Sequence, residues 1–271
     1  MWGEGSIETL DRMLLSAVRA ARLAYLNEPD LQVAARGYGY SADLIDPGGR
    51  GDAQAVVLRR AGLVVIAYRG SSSRSDFRAD VRSLWRRRYR HLPVGRMGAG
   101  FADQHDELEA AILRYAWRAA DSGDEIVLVG HSLGGALVLP GVLTLRAAGI
   151  RVRHGITMGA PRVLNTRSAA WWIESVDTPL WRVVHVRHGA VDIVTRAPPS
   201  SFGARHMGLP VMIAGYETIF GRPQWREYKR SHPVPWWKSL QPVSRLVGAI
   251  QAHLAASLEE TLAERLAVSV S

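Results

Sequence analysis

The chain has 271 residues, enough for one large α/β domain with a substantial core. It is 47% apolar and 22% charged, a globular balance, and no apolar run approaches twenty residues, which excludes a transmembrane helix. Cysteine is absent, which excludes a disulfide framework, a thiolate metal site and a cysteine nucleophile; the formal net charge is +9, carried almost wholly by arginine. Charge alone would admit a nucleic-acid partner, but no nucleic-acid motif accompanies it, and an anionic lipid surface is the other natural partner.

Residues 1–27 lack the uninterrupted apolar segment of a secretory leader, because Glu4, Glu8, Asp11, Arg12, Arg19 and Arg22 break it. Ile7, Leu10, Leu14, Ala17, Val18, Ala21 and Tyr25 fall at helical spacing and predict an amphipathic helix. With no leader and no cysteine, the expected location is cytoplasmic, or outside the cell by a signal-independent route. Ala53–Arg60 and Leu63–Tyr68 read as adjacent strands joined at Ala61-Gly62. Ser75–Trp85 reads as a short amphipathic helix, with Phe77, Val81, Leu84 and Trp85 on one face. The basic run Arg86–Arg90 reads as a solvated face, or as a contact for anionic headgroups. A longer helix is predicted over Phe101–Ala120, then a strand at Ile126–Val129, a helix at Ala136–Leu145 and a strand at Val152–Met158. Ser168–Ser175 reads as helix and Trp181–Val186 as strand. Ser200–Gln241 reads as irregular structure with short strands, and Leu246–Leu266 as a closing helix. This alternation predicts an α/β fold: a mostly parallel sheet covered on both faces.

The most informative segment is Gly130-His131-Ser132-Leu133-Gly134, between an apolar run and a helical run. A serine on a sharp strand-to-helix turn projects its Oγ above the sheet, where a substrate and a histidine can both reach it. Glycines two positions either side let strand and helix pass close to that serine. The turn also leaves the Leu133 backbone N–H at a helix start, aimed at the site of a developing oxyanion. Ser132 is the candidate nucleophile and Leu133 a candidate oxyanion donor.

Further segments are Arg69-Gly70-Ser71 at a strand end, Met97-Gly98-Ala99-Gly100-Phe101, Gly159-Ala160-Pro161-Arg162-Val163-Leu164-Asn165, and Asp192-Ile193-Val194 followed by Pro198-Pro199. Together with the serine turn, from about Val64 to His253, they resemble the class 3 (fungal-type) lipase family of the α/β-hydrolase fold. The resemblance implies a three-layer sandwich, a single domain over 1–271, and a short helical lid over 73–90 whose Phe77, Val81 and Leu84 cover the site in water. It implies an oxyanion donor at Ser71, an acidic triad member at Asp192, and scaffold roles for the Gly-Ala-Pro-Arg segment. Gly98 stands where the family usually carries a supporting histidine.

Chain order in this fold is Ser, Asp, His, and three histidines follow Asp192: His206, His232 and His253. His206 lies in a segment similar to a structural one of the family. His253 lies in Ala252-His253-Leu254, comparable to the family's catalytic segment, and is the preferred base, although the usual following aromatic is missing. The resemblance therefore implies a serine ester hydrolase acting on acyl glycerides or related lipid esters, with no metal and no cofactor. A phospholipase or acyltransferase with the same triad, and a non-catalytic binding module, are the alternatives.

Overall fold

The computed structural model describes residues 4–48, 53–70, 87–187, 190–191, 193–214, 217–220 and 258–267. Its frame is a nine-stranded sheet in the order β1-β2-β3-β4-β5-β7-β10-β11, with β8 paired to β7. The strands are β1 (Ser41–Ile45), β2 (Ala55–Arg60), β3 (Leu63–Tyr68), β4 (Glu125–His131), β5 (His154–Met158), β7 (Leu180–Arg187), β8 (Ala190–Val191), β10 (Leu209–Ala214) and β11 (Glu217–Phe220). A separate two-residue pair joins β6 (Leu164–Asn165) to β9 (Ala204–Arg205). The centre is parallel, from β3 through β4, β5 and β7 to β10, and antiparallel pairs flank it on both sides.

The helices are α1 (Glu4–Leu23), α2 (Glu28–Gly37), α3 (Ala99–Asp121), α4 (Leu133–Ala147), α5 (Thr166–Ser175) and α6 (258–267). The parallel strands follow one another across the sheet in chain order. Right-handed crossovers therefore deliver α3, α4 and α5 to one face. The other face must be covered by helices from outside that series, and α1, α2 and α6 do so. Period-two alternation shows the division directly. Val64, Ile66 and Tyr68 of β3, with Ile126 and Leu128 of β4, pack among α3, α4 and α5. Val65, Ala67 and Val129 pack among α1, α2 and α6. Burial on both faces is why these strands read as continuous apolar runs.

Two elements went unforeseen in the sequence. Helix α2 begins at Asn27, whose side chain accepts from the Asp30 amide, with Pro29 in the first turn. Strand β1 pairs with β2 as an edge. β10 falls within Ser200–Gln241, read as irregular structure with short strands; its parallel register on β7, from Leu209 opposite Trp181 to Ile213 opposite His185, makes it part of the main sheet. The described arginines of the Arg86–Arg90 run lie on a solvated face, where Arg87 and Arg90 are also tied to α3. Arg87 pairs with Asp103 and lies 2.7 Å from Asp106; Arg90 lies 3.1 Å from Asp106 and pairs with Glu109. No described helix is long and apolar enough to cross a membrane.

A polar chain crosses the core on the α3–α4 side. The buried His105 ring meets the Tyr68 hydroxyl at 3.3 Å on Nε2 and the Tyr89 hydroxyl at 3.1 Å on Nδ1, donating through one nitrogen and accepting on the other, and Tyr89 also meets Thr144 Oγ1 at 2.9 Å. Burial pushes the His105 pKa down to about 3, partly offset by the nearby Glu109 charge. The imidazole is neutral in the fold, but the unfolded chain takes up its proton near the ordinary histidine pKa of about 6.5. Its contribution to stability is thus complete above that pH and is lost as pH falls. We predict a loss of about 1.4 kcal/mol per pH unit from this one group between pH 6 and 4. Urea unfolding of wild type and His105→Asn across that range checks it: the variant should show a slope shallower by one proton.

Candidate active site

Strand β4 ends at His131, and α4 begins at Leu133, so Ser132 alone makes the turn. Its backbone sits at φ 56°, ψ −123°, the one described non-glycine residue with positive φ. Such a conformation costs about 1–3 kcal/mol and persists only where the surroundings over-determine it. They do so here. The Ser132 amide donates to the Met158 carbonyl at the end of β5, at 2.8 Å. Every residue of α4 from Leu133 to Leu145 is buried. A Cβ at Gly130 would lie 2.1 Å from the Gly134 carbonyl oxygen, and one at Gly134 would lie 2.2 Å from that of Tyr68. Strand and helix therefore touch backbone to backbone. The Leu133 N–H stands at the first helical position, where no carbonyl within the helix can accept it.

The end of β3 runs along the same turn. Gly70 follows Tyr68 and Arg69 in register beside β4, and a Cβ there would meet the Tyr25 hydroxyl at 2.2 Å. Tyr25, just past α1, brings its hydroxyl to 3.3 Å from His131 Nδ1 and takes a hydrogen bond from the Gly70 backbone. Burial pushes the Tyr25 hydroxyl pKa up and brings His131 down to about 4, so both are neutral at ordinary pH. Tyr25 thus links the N-terminal helix to both backbone segments flanking Ser132. Sequence reading placed Tyr25 only on an apolar helix face; its proximity to the turn is a tertiary fact.

The Gly-Ala-Pro-Arg segment holds the loop beyond β8. The Arg162 amide donates to the Ala197 carbonyl at 2.7 Å; its guanidinium donates to the Pro198 carbonyl at 2.7 Å and also to that of Arg196. His206 Nε2 donates to the Thr195 carbonyl at 2.7 Å, gripping the same loop from the other side. Gly98, in the position where a histidine was looked for, donates its amide to the Val163 carbonyl at 3.1 Å. Ser132 and Leu133 are therefore placed. Ser71, Phe77, Val81, Leu84, Asp192, His232 and His253 lie outside the described residues. The described residues bring His105, Asp106 and Glu109 close together, but arginines and His91 already engage the two carboxylates.

The strain at Ser132 has a measurable consequence. Glycine adopts this backbone conformation without strain, whereas alanine, like serine, bears the strain of its Cβ. Ser132→Gly should therefore be more stable than Ser132→Ala by about 1 kcal/mol, after allowing for glycine's freer unfolded chain. Paired denaturant titrations check this; equal stabilities would mean that the turn is unstrained.

Residues 65–202, just over half of the chain, match the family described as Lipase (class 3). The chain is 29% identical over 172 residues to a lipase of Rhizopus niveus, covering 60% of this chain and 42% of that protein. It is 30% identical over 153 residues to a lipase of Rhizomucor miehei, covering 54% of this chain and 40% of that protein. It therefore spans about two-fifths of the length of these curated relatives. The solved structure of the Rhizomucor miehei triacylglyceride lipase superposes with a TM-score of 0.65 at 23% identity, covering 76% of this chain and 80% of that one. A likeness at that identity speaks for the fold. With the family match over the central sheet and the serine turn, the chain belongs to the class 3 lipase family.

Proposed function

We propose that the protein is a serine carboxylic-ester hydrolase acting on acyl glycerides or related lipid esters. One observation carries the reading: Ser132 alone turns β4 into α4 in a strained conformation, at the heart of the segment that matches the lipase family. Strain stored at a single serine marks a functional position more than a structural one. The miehei relative is named for triacylglycerides, and that name supports the substrate class.

In this mechanism Ser132 Oγ attacks the ester carbonyl. His253 takes the serine proton and later gives it to the leaving alcohol. Asp192 orients the imidazole and stabilises the imidazolium. The Leu133 N–H and Ser71 receive the oxyanion, and water then releases the acyl group by the same steps in reverse roles. Two contacts support the choice of residues. His206 already donates Nε2–H to the Thr195 carbonyl, which fits a scaffold role and leaves the base to His253. The clamp by Arg162 and His206 fixes residues 195–198, just downstream of Asp192, as an orienting acid needs. We read residues 1–271 as one domain, and 73–90 as the lid, with Phe77, Val81 and Leu84 as its inner face. Its outer arginines would favour an anionic lipid surface.

Ser132→Ala should lower ester hydrolysis by about 10^4-fold or more with the fold intact, and His253→Ala should match it. His206→Ala should retain much more activity wherever it folds, and Asp192→Asn should lower turnover with little change in KM. Steady-state kinetics on p-nitrophenyl esters check the set. A dead His206 variant beside an active His253 variant would exchange their roles.

The lid is tested by interfacial kinetics. The rate on a short-chain ester should rise as the substrate passes its solubility limit, because an exposed apolar face is costly in water and favourable at an interface. Phe77→Ser should blunt that rise. Identical saturating curves for both proteins would make this segment fixed scaffold.

A further inference from the structure

At the other end of the sheet from Ser132 lies a second site. A surface pocket of about 280 Å³ opens between α1 and the turn joining α2 to β1. Arg19 of α1 and Arg60 of β2 line it, and each guanidinium is held over a tyrosine ring: Arg19 at 5.0 Å from the Tyr38 ring centre, Arg60 at 5.1 Å from that of Tyr40. Stacking restrains two long side chains that would otherwise be free, so less entropy is lost when they grip a ligand. The tyrosines' main chain is itself fixed. The Tyr38 amide donates to the Ala35 carbonyl at 3.0 Å and the Tyr40 amide to the same carbonyl at 2.9 Å. With the Gly39 amide, which donates to the Arg36 carbonyl, these bonds partly occupy the carbonyl end of α2, which would otherwise repel an anion more strongly.

The charges facing the pocket are unbalanced. Glu259 of α6 takes the Arg19 Nε at 3.0 Å and also pairs with Arg22. The terminal nitrogens of Arg19 remain available for an incoming acceptor. No described carboxylate pairs with Arg60. Its strand neighbour Arg59, by contrast, is taken by Asp43. Leu23 and Ala20 give the pocket an apolar wall. Two guanidinium forks suit a phosphate group, whose several oxygens can engage both; a carboxylate saturates one. The wall and volume leave room for a small organic remainder.

Arg60 pairs with Leu63 at the start of β3, whereas Tyr68 at its end packs against the serine turn. A lipid surface above Ser132 would not reach this pocket, so the fitting occupant is soluble. We propose that Arg19 and Arg60 form a binding site for a soluble phosphate monoester, separate from the ester-hydrolysing site.

Isothermal titration of the full chain with glycerol 3-phosphate and with inorganic phosphate, at matched ionic strength, tests the site. Both should bind, and Arg60→Gln should weaken each by about tenfold or more, as the loss of a charge-assisted fork does. Arg59→Gln removes the same charge from the adjacent residue and should change binding less than about twofold. Ester hydrolysis by Arg60→Gln should stay at the wild-type level. Equal weakening in the two variants would reduce the effect to overall charge and overturn the site, as would absence of binding. Binding to phosphatidylglycerol–phosphatidylcholine vesicles that Arg60→Gln abolishes, with no uptake of either soluble probe, would make the pocket a headgroup contact and overturn the proposal in that form.

Discussion

The serine turn depends on one steric constraint: β4 and α4 must approach until their backbones touch. Gly130 and Gly134 meet that condition, because a Cβ on either would collide with a carbonyl oxygen. Once the two elements are that close, a single residue must reverse the chain, and Ser132 does so with positive φ. The cost is local, while what enforces it is spread over a helix buried from Leu133 to Leu145 and a hydrogen bond to β5. The hydroxyl is thereby aimed by the fold as a whole. A flexible loop could not hold it so firmly.

The surrounding segments follow from the same geometry. Because Gly134 touches the Tyr68 backbone, the end of β3 is drawn against the start of α4. Tyr25 closes this arrangement from the opposite face of the sheet, touching both His131 and Gly70. On the near face, the Tyr68–His105–Tyr89–Thr144 chain ties the same strand to α3 and α4. β3 is therefore fixed from both layers at the point where an oxyanion donor is proposed. Buried polar groups are costly unless satisfied, and these satisfy one another.

Much of this was legible in the sequence because its signals are local. The glycine spacing around Ser132 is a short-range steric requirement. The continuous apolar runs at Leu63–Tyr68 and Ile126–Val129 mark strands buried on both faces, and the spacing of Leu10, Leu14, Ala17, Val18 and Ala21 marks a helix; those five are buried as expected. Edge strand β1 was not legible, since Ser41–Ile45 is short, mixed in polarity and stabilised by its pairing with β2. Short strands were legible in Ser200–Gln241, but glycine and proline obscured where β10 lies, and only register with β7 places it in the main sheet. The pairings of Tyr25, His105 and Arg162 join residues far apart in sequence, and no local pattern announces them. The ion pairs that Arg87 and Arg90 make on this solvated face were not legible, because their carboxylate partners lie sixteen or more residues away on α3.

The central claim is that Ser132 is a nucleophile activated by the fold. Treat the native chain with diethyl p-nitrophenyl phosphate, digest it and map the modified peptide by mass spectrometry. One diethylphosphoryl group per chain is expected, on Ser132, with loss of ester hydrolysis in proportion to labelling and no labelling after denaturation. Labelling at another residue that tracks the loss of activity, or a native chain with hydrolytic activity and an unmodified Ser132, would contradict it.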